Sequence, residues 1–227
     1  MPEQSVSSSH GKVRLPGLDP EVTPMIGLGL SVTGILLGLR PRLAPWSLAL
    51  TALTALLYRD PERTTPEAAG AFFAPTDGVV TGVGETYEHR FLHTDAVQLS
   101  IESSPLDVPV QRSPVAGTVA YLERVAGAYR PLWELHGAPP EQRECQYIGI
   151  LAECGPVLLA VSVGPLARRI ACRVSVGDQV GAGARLTTVR FGARVELLVP
   201  RDVIEWLPAP GDRLRAGVST VGRMAPL

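Results

Sequence analysis

A mainly β domain, antiparallel and sandwich- or barrel-like, behind an N-terminal helical hairpin is the fold class predicted here, and three patterns carry it. Residues 24–39 and 43–58 are two runs without a charge, PMIGLGLSVTGILLGL and LAPWSLALTALTALLY, separated by Arg40-Pro41-Arg42. From Phe72 onward, short β-branched runs such as DGVVTGV, AVQLSIE, GTVAYLERV and PVLLAVSV are punctuated by Gly and Pro at the spacing of all-β sandwiches and barrels. The chain has 227 residues, 45% of them hydrophobic and 19% charged. At that length roughly 70% of the unfolded surface is buried on folding, and the composition excludes a disordered chain.

Residues 1–23 are polar, with Ser7-Ser8-Ser9 and several Gly and Pro. They read as a flexible tail and not as a signal peptide, because no cleavage site follows the apolar stretch. Each apolar run, as a helix, is about 24 Å long, short of the ~30 Å hydrocarbon core of a bilayer. A buried core hairpin is the competing reading of runs this short. Membrane insertion is favoured because both runs look apolar on all sides rather than along one stripe. Spanning would send Arg40 and Arg42 to the far side, against the usual placement of positive loops. In a shallow insertion their side chains would instead snorkel to the headgroups. Either way both chain ends stay on one side, which puts the remainder at the cytoplasmic face of the cell membrane. The predicted organisation is thus a tail over 1–23, a hairpin over 24–58 and a β domain over 59–227. Within the last, 127–146 is the one long connection, and a loop of that size is more often functional than not.

The β region contains two internal echoes. Ala74-Pro75-Thr76-Asp77-Gly78-Val79-Val80 is similar to Ser113-Pro114-Val115-Ala116-Gly117-Thr118-Val119, and Gly177-Asp178-Gln179-Val180-Gly181-Ala182-Gly183 to Gly211-Asp212-Arg213-Leu214-Arg215-Ala216-Gly217. The second pair is a turn and short strand also found in biotinyl and lipoyl carrier domains. Carriers need a lysine at a hairpin tip, and the only lysine, Lys12, lies in the tail, so a carrier role is excluded. Both echoes also read simply as well-formed turns, Gly supplying positive φ and Asp local hydrogen bonds.

Net charge is −1, without the basic stripe of a nucleic-acid binder. Cys145, Cys154 and Cys172 show no metal spacing and read as reduced thiols. His89 and His93 lie in a turn-and-strand context that does not suit zinc, so no metal site is expected.

Five motifs, in order, carry a family resemblance. Tyr58-Arg59-Asp60-Pro61-Glu62-Arg63 follows the apolar hairpin. Next come Ala74-Pro75-Thr76-Asp77-Gly78, then Ser104-Pro105-Leu106-Asp107-Val108-Pro109-Val110-Gln111-Arg112-Ser113-Pro114. Ala167-Arg168-Arg169-Ile170-Ala171-Cys172 and Phe191-Gly192-Ala193-Arg194-Val195 complete the series. Together they resemble FFRDPxR, SPADG, SPxDVHVxRxP, ARRIVC and FGSRV of the short bacterial and archaeal phosphatidylserine decarboxylases, over residues 24 to 224.

The resemblance implies a self-made cofactor. In active members a Ser attacks the carbonyl of the preceding Gly, and elimination leaves a pyruvoyl group on the new N-terminus. Its ketone accepts the electrons released as CO₂ departs. Here Ala193 follows Gly192, and an alanine has no Oγ with which to attack. Pro109 stands where the motif carries His and offers neither acid nor base. Asp77 matches a residue that assists self-cleavage and is vestigial without its Ser. Ser219 is no substitute, because Val218 and not glycine precedes it. The resemblance therefore implies an uncleaved, catalytically degenerate homologue without a cofactor, which binds phospholipid or a partner. Arg112 and Arg143 are the candidates to hold a phosphate or carboxylate, since a guanidinium matches either in a forked geometry. The expected partners are a phospholipid membrane, phosphatidylserine or another anionic phospholipid, and a homo- or hetero-oligomer. Two other readings remain: an active decarboxylase making phosphatidylethanolamine, and a membrane-anchored scaffold with no lipid site.

Overall fold

The computed structural model describes residues 17–19, 22–127, 144–163, 169–206 and 208–225. The chain divides into two compact units, Met1–Glu62 and Arg63–Leu227.

In the first unit, α1 (Thr23–Leu39) and α2 (Ala44–Leu57) each carry a proline in the first turn, where its missing N–H costs nothing. The two runs are not apolar on all sides, as the sequence reading had them: each keeps one stripe of small and polar residues, and those stripes face each other. Thr33 Oγ1 donates to Ser47 Oγ at 3.0 Å. Gly29 lies so close to Thr51 that a Cβ there would overlap the Thr51 hydroxyl. The apolar side chains point away from the contact: Leu28, Ile35, Leu37, Trp46, Leu50 and Leu53 are among the exposed residues. Among the described residues no helix is long and apolar enough to cross a membrane. Residues of the tail pair with the chain that leaves α2. Leu18 bridges Arg59, Asp19 N–H donates to Tyr58 O, and Asp60 N–H to Gly17 O.

The second unit is mainly β, as predicted. Its strands are β1 (Ala71–Phe73), β2 (Gly78–Glu88), β3 (Thr94–Ser103), β4 (Val110–Arg112), β5 (Gly117–Val125), β6 (Cys145–Ala152), β7 (Gly155–Val163), β8 (Ile170–Cys172), β9 (Gln179–Val180), β10 (Arg185–Val189), β11 (Ala193–Pro200), β12 (Ile204–Trp206), β13 (Arg213–Leu214) and β14 (Thr220–Met224). An eight-stranded sheet runs β13-β2-β3-β11-β7-β6-β5-β9, and two three-stranded sheets run β1-β14-β12 and β4-β10-β8. The large sheet curls into a half-barrel. Its inner face supplies Leu99, Ile101, Ile148, Ile150, Leu159, Val195 and Leu197 to one core. Phe72, Ile170, Leu186 and Val221 of the small sheets join that core.

The strand order is symmetric about the β11–β7 junction, and the two sequence echoes are its visible part. Strands β1 to β3 with β11 to β14 form the first copy of a seven-strand unit; β4 to β10 form the second. The second copy is inserted into the first between Ser103 and Ala193. Correspondence reaches the register. Val80 pairs with Ile101 and the ladder then slips before Gly82; Val119 pairs with Ile150 and slips before Tyr121. Val80 exchanges hydrogen bonds with Gly211 and Asp212, and Val119 with Gly177 and Asp178. Gly78 and Gly117 are packed alike. A Cβ on either would sit 2.3 Å from a carbonyl, of Glu102 or of Leu151, so only glycine lets the strands approach.

On the outer face, the turn after β2 is organised by Glu88, whose carboxylate accepts the N–H groups of Arg90, Phe91 and Leu92, each at 2.7 Å. Burial works against the ionised Glu88, but those three donors hold its carboxyl below the usual glutamate value. Arg90 lies 4.4 Å over the Tyr147 ring, and burial pushes the Tyr147 phenol up to about 12.

Candidate functional site

At the start of β11 the chain turns through two left-handed residues, Phe191 (φ 68°) and Gly192 (φ 90°). Glycine is required at the second, since a Cβ would lie 2.9 Å from Ser103 O. Phe191 is 40% exposed and, with a side chain, stores about 1 kcal/mol of strain there. Ala193 follows, 2% exposed, opposite Ser103 of β3 and Val163 of β7. Partners so placed have Cβ atoms roughly 5 Å apart. The methyl group of Ala193 thus belongs to the core, beside one buried hydroxyl-bearing residue.

Three further segments converge on this corner. Pro105 borders Gly192. Pro109 is buried, and its carbonyl accepts Val189 N–H at 2.8 Å, which ties β4 to the chain entering the corner. Asp77 precedes Gly78, whose strand pairs with the end of β3 beside Glu102. The sequence thus brings Asp77, Pro109, Gly192 and Ala193 to one end of the large sheet.

Asp77 does not face an empty pocket. Arg63 donates through Nη1 to Asp77 Oδ1 at 2.5 Å and through Nη2 to Oδ2 at 2.8 Å. Ala216 N–H donates to Oδ1 at 2.7 Å, and Arg63 Nη1 also reaches Ala216 O at 2.9 Å. Both side chains are only 13% exposed. A bidentate pair of this kind fixes geometry as well as charge, and it commits both Asp77 oxygens. Arg63 was legible as the last residue of the first motif; its partner was not.

Arg112 is 3% exposed. Its Nη1 donates to Gly183 O at 3.0 Å, and its N–H to Pro75 O at 2.7 Å. It knits the turns at Pro75 and Gly183 together from inside. Arg143 and the rest of residues 128–143 lie outside the described residues, as does Arg168. Ser219 accepts the Arg215 N–H on its hydroxyl and gives its carbonyl to Ala74 N–H, which is turn architecture.

A nested pair of seven-strand units, with a strained glycine corner where the outer one resumes, defines the class of fold and site. The sequence profile described as phosphatidylserine decarboxylase matches residues 50–222. The chain is 35% identical over 213 residues to the phosphatidylserine decarboxylase proenzyme of Symbiobacterium thermophilum, covering 93% of this chain and 98% of that one. It is 35% identical over 201 residues to the protein of the same name from Carboxydothermus hydrogenoformans, covering 88% and 92%. To that of Salinibacter ruber it is 38% identical over 183 residues, covering 78% and 79%. The chain belongs to the phosphatidylserine decarboxylase family.

Proposed function

We propose that this chain is a catalytically degenerate member of its family that stays uncleaved and works in phospholipid metabolism at a membrane surface. One observation carries the reading: Ala193, and not serine, follows Gly192 at the corner where self-cleavage is expected. A methyl group in the core has no oxygen to attack the Gly192 carbonyl. The residues present do not fit a pyruvoyl group. Pro109, buried and without a side-chain acid or base, agrees with that reading, as does Asp77, whose oxygens are engaged by Arg63 and the Ala216 N–H.

The hairpin supports the membrane assignment. Its stripe of Gly29, Thr33, Ser47 and Thr51 turns inward and most of its leucines outward, the reverse of a water-soluble helix pair. Two helices of about 25 Å and 21 Å favour shallow insertion from the cytoplasmic face. Lipid contact on this reading is made by the hairpin, and Arg112 shapes the fold from within rather than holding a headgroup.

The experiment is an intact mass of the purified full chain, with CO₂ release from phosphatidylserine vesicles measured alongside. A single species of 24.1 kDa and no release above a heat-killed control are expected. Two fragments meeting at residues 192–193, or turnover, would establish the active reading instead, which the near full-length match to proenzymes favours. Deleting residues 1–58 should release the protein from membranes.

A further inference from the structure

The internal symmetry assigns each residue of the corner a counterpart in the second copy. Ala193 faces Ser103 and Gly155 faces Ala152, so Cys154 stands where Gly192 stands. Asp77 corresponds to Ala116, and Ala216 to Ala182, by the spacings of the two sequence echoes. The first copy sets the Arg63–Asp77 ion pair against Ala216. The second sets Ala116 and Ala182 into the wall of a cavity of about 650 Å³, within the size range of small-molecule sites. From Gly155 to Val163, the partner of Ala193, is a full strand, about 26 Å. The Cys154 edge of the cavity therefore lies a strand length from Ala193, while its Thr65 edge borders Gly217, the neighbour of Ala216.

Its chemistry is one-sided. Pro66, Leu151 and Met224 provide an accessible apolar wall, backed by the buried Phe72 and Phe73, while Glu67 and Glu153 bring two carboxylates to its lining. Among the described residues, no Lys, Arg or His lines it and neither glutamate makes an ion pair. At Ala116 the second copy thus carries no carboxylate, and the residues around the cavity favour positive charge on one side and hydrocarbon on the other. We propose that this cavity binds a small organic ammonium ion carried on an apolar body. The site is separate from the corner at Ala193 and does not depend on whether that corner is active.

Cys154 lines the same cavity and reports on its occupancy. The test uses the full chain carrying Cys172→Ser, which removes the exposed thiol, and follows N-ethylmaleimide labelling of Cys154 by peptide mass. Phenethylamine is the probe; phenylacetate and phenethyl alcohol are the controls. Phenethylamine is expected to protect Cys154 with a dissociation constant of about 1 mM, the scale of a ligand this small. Phenylacetate should give none, and the alcohol less than the amine. Glu67→Gln with Glu153→Gln should weaken protection roughly fivefold, as two half-screened charge contacts would. Ala116→Phe should fill the space and abolish protection, with circular dichroism verifying the fold. Equal protection by phenylacetate, undiminished protection in the double glutamine variant, or none by the amine at 20 mM would overturn the proposal, as ~20 times the expected dissociation constant nearly saturates a real site.

Discussion

The two copies of the seven-strand unit share strand order, register slips and turn geometry, yet one holds a buried ion pair where the other holds a cavity. Asp77 and Ala116 are matched positions, each preceding a glycine whose missing Cβ admits a neighbouring carbonyl. What differs is the side chain, and with it Arg63, which has no counterpart among the described residues of the second copy. The backbone is thus a shared frame that tolerates opposite local chemistry. Conserved turn geometry is a statement about glycine and carbonyl contacts, not about what the pocket beside them does.

The largest expected effect tests the shared frame. Gly78→Ala and Gly117→Ala each force a methyl group onto backbone 2.3 Å away, and both should cost about 3 kcal/mol or more. Denaturant midpoints should fall by similar amounts in the two variants; a large effect in one copy alone would break the equivalence. Next comes the difference. Asp77→Ala leaves the Arg63 guanidinium without its counter-ion at 13% exposure and should cost about 3 kcal/mol. Ala116→Asp, at an exposed site, should stay within about 0.5 kcal/mol. If the two variants prove equal in urea titrations, the ion pair is not what distinguishes the copies.

Glu88→Gln removes a charged acceptor from three N–H groups in the outer copy and should cost about 1–2 kcal/mol at neutral pH. Because the folded carboxyl titrates below the ordinary value of 4.5, its contribution is fully present above that value and disappears as pH falls through the folded one. Wild type and variant should therefore converge in stability under acid conditions; a gap that widens there would mean Glu88 is neutral in the fold. The smallest effect restores the symmetry. Asp178 and Asp212 each accept an N–H three residues back, from Ser175 and from Ala209, at 2.8 Å. Alanine at either should cost about 1 kcal/mol, and thermal melts should shift alike.

The hairpin limits were legible because Pro24 and Pro45 open its helices and Arg40-Pro41-Arg42 separates them. Its inward polar stripe was not, because Gly29, Thr33, Ser47 and Thr51 are too few to stand out until two helices face each other. In the β region the turn echoes at 74–80 and 113–119 were plain, since turns demand particular residues. The duplication they belong to was hidden. Strands β3 and β6, or β11 and β7, need only alternate apolar residues, and the letters they share, Ile101 with Ile150 and Val195, Leu197 and Val199 with Val157, Leu159 and Val161, are ordinary strand residues that mark no repeat. Ala193 and Pro109 could be read directly as departures from a motif, and the structure brings their segments together. The Arg63–Asp77 pairing and the burial of Arg112 could not be read, because a guanidinium in a motif looks the same whether it meets a ligand or a carbonyl oxygen. The cavity escaped for the opposite reason: its walls come from five separate stretches of chain, and what sets it apart from the Asp77 turn is a single alanine, Ala116.

The insertion of one copy inside the other separates connectivity from shape. Beyond Gly192 the chain contributes β11 between β3 and β7, β13 beside β2, and β14 beside β1. Every one of these neighbours is encoded upstream of that residue. Opening the peptide bond between 192 and 193 would change the topology of the polymer from one thread to two while leaving each strand between the same partners. The joint is therefore mechanically silent. A fold woven in this way can be continuous or nicked there with the same silhouette, so the integrity of the backbone at this point has to be weighed in a mass spectrometer and cannot be seen in a scattering profile.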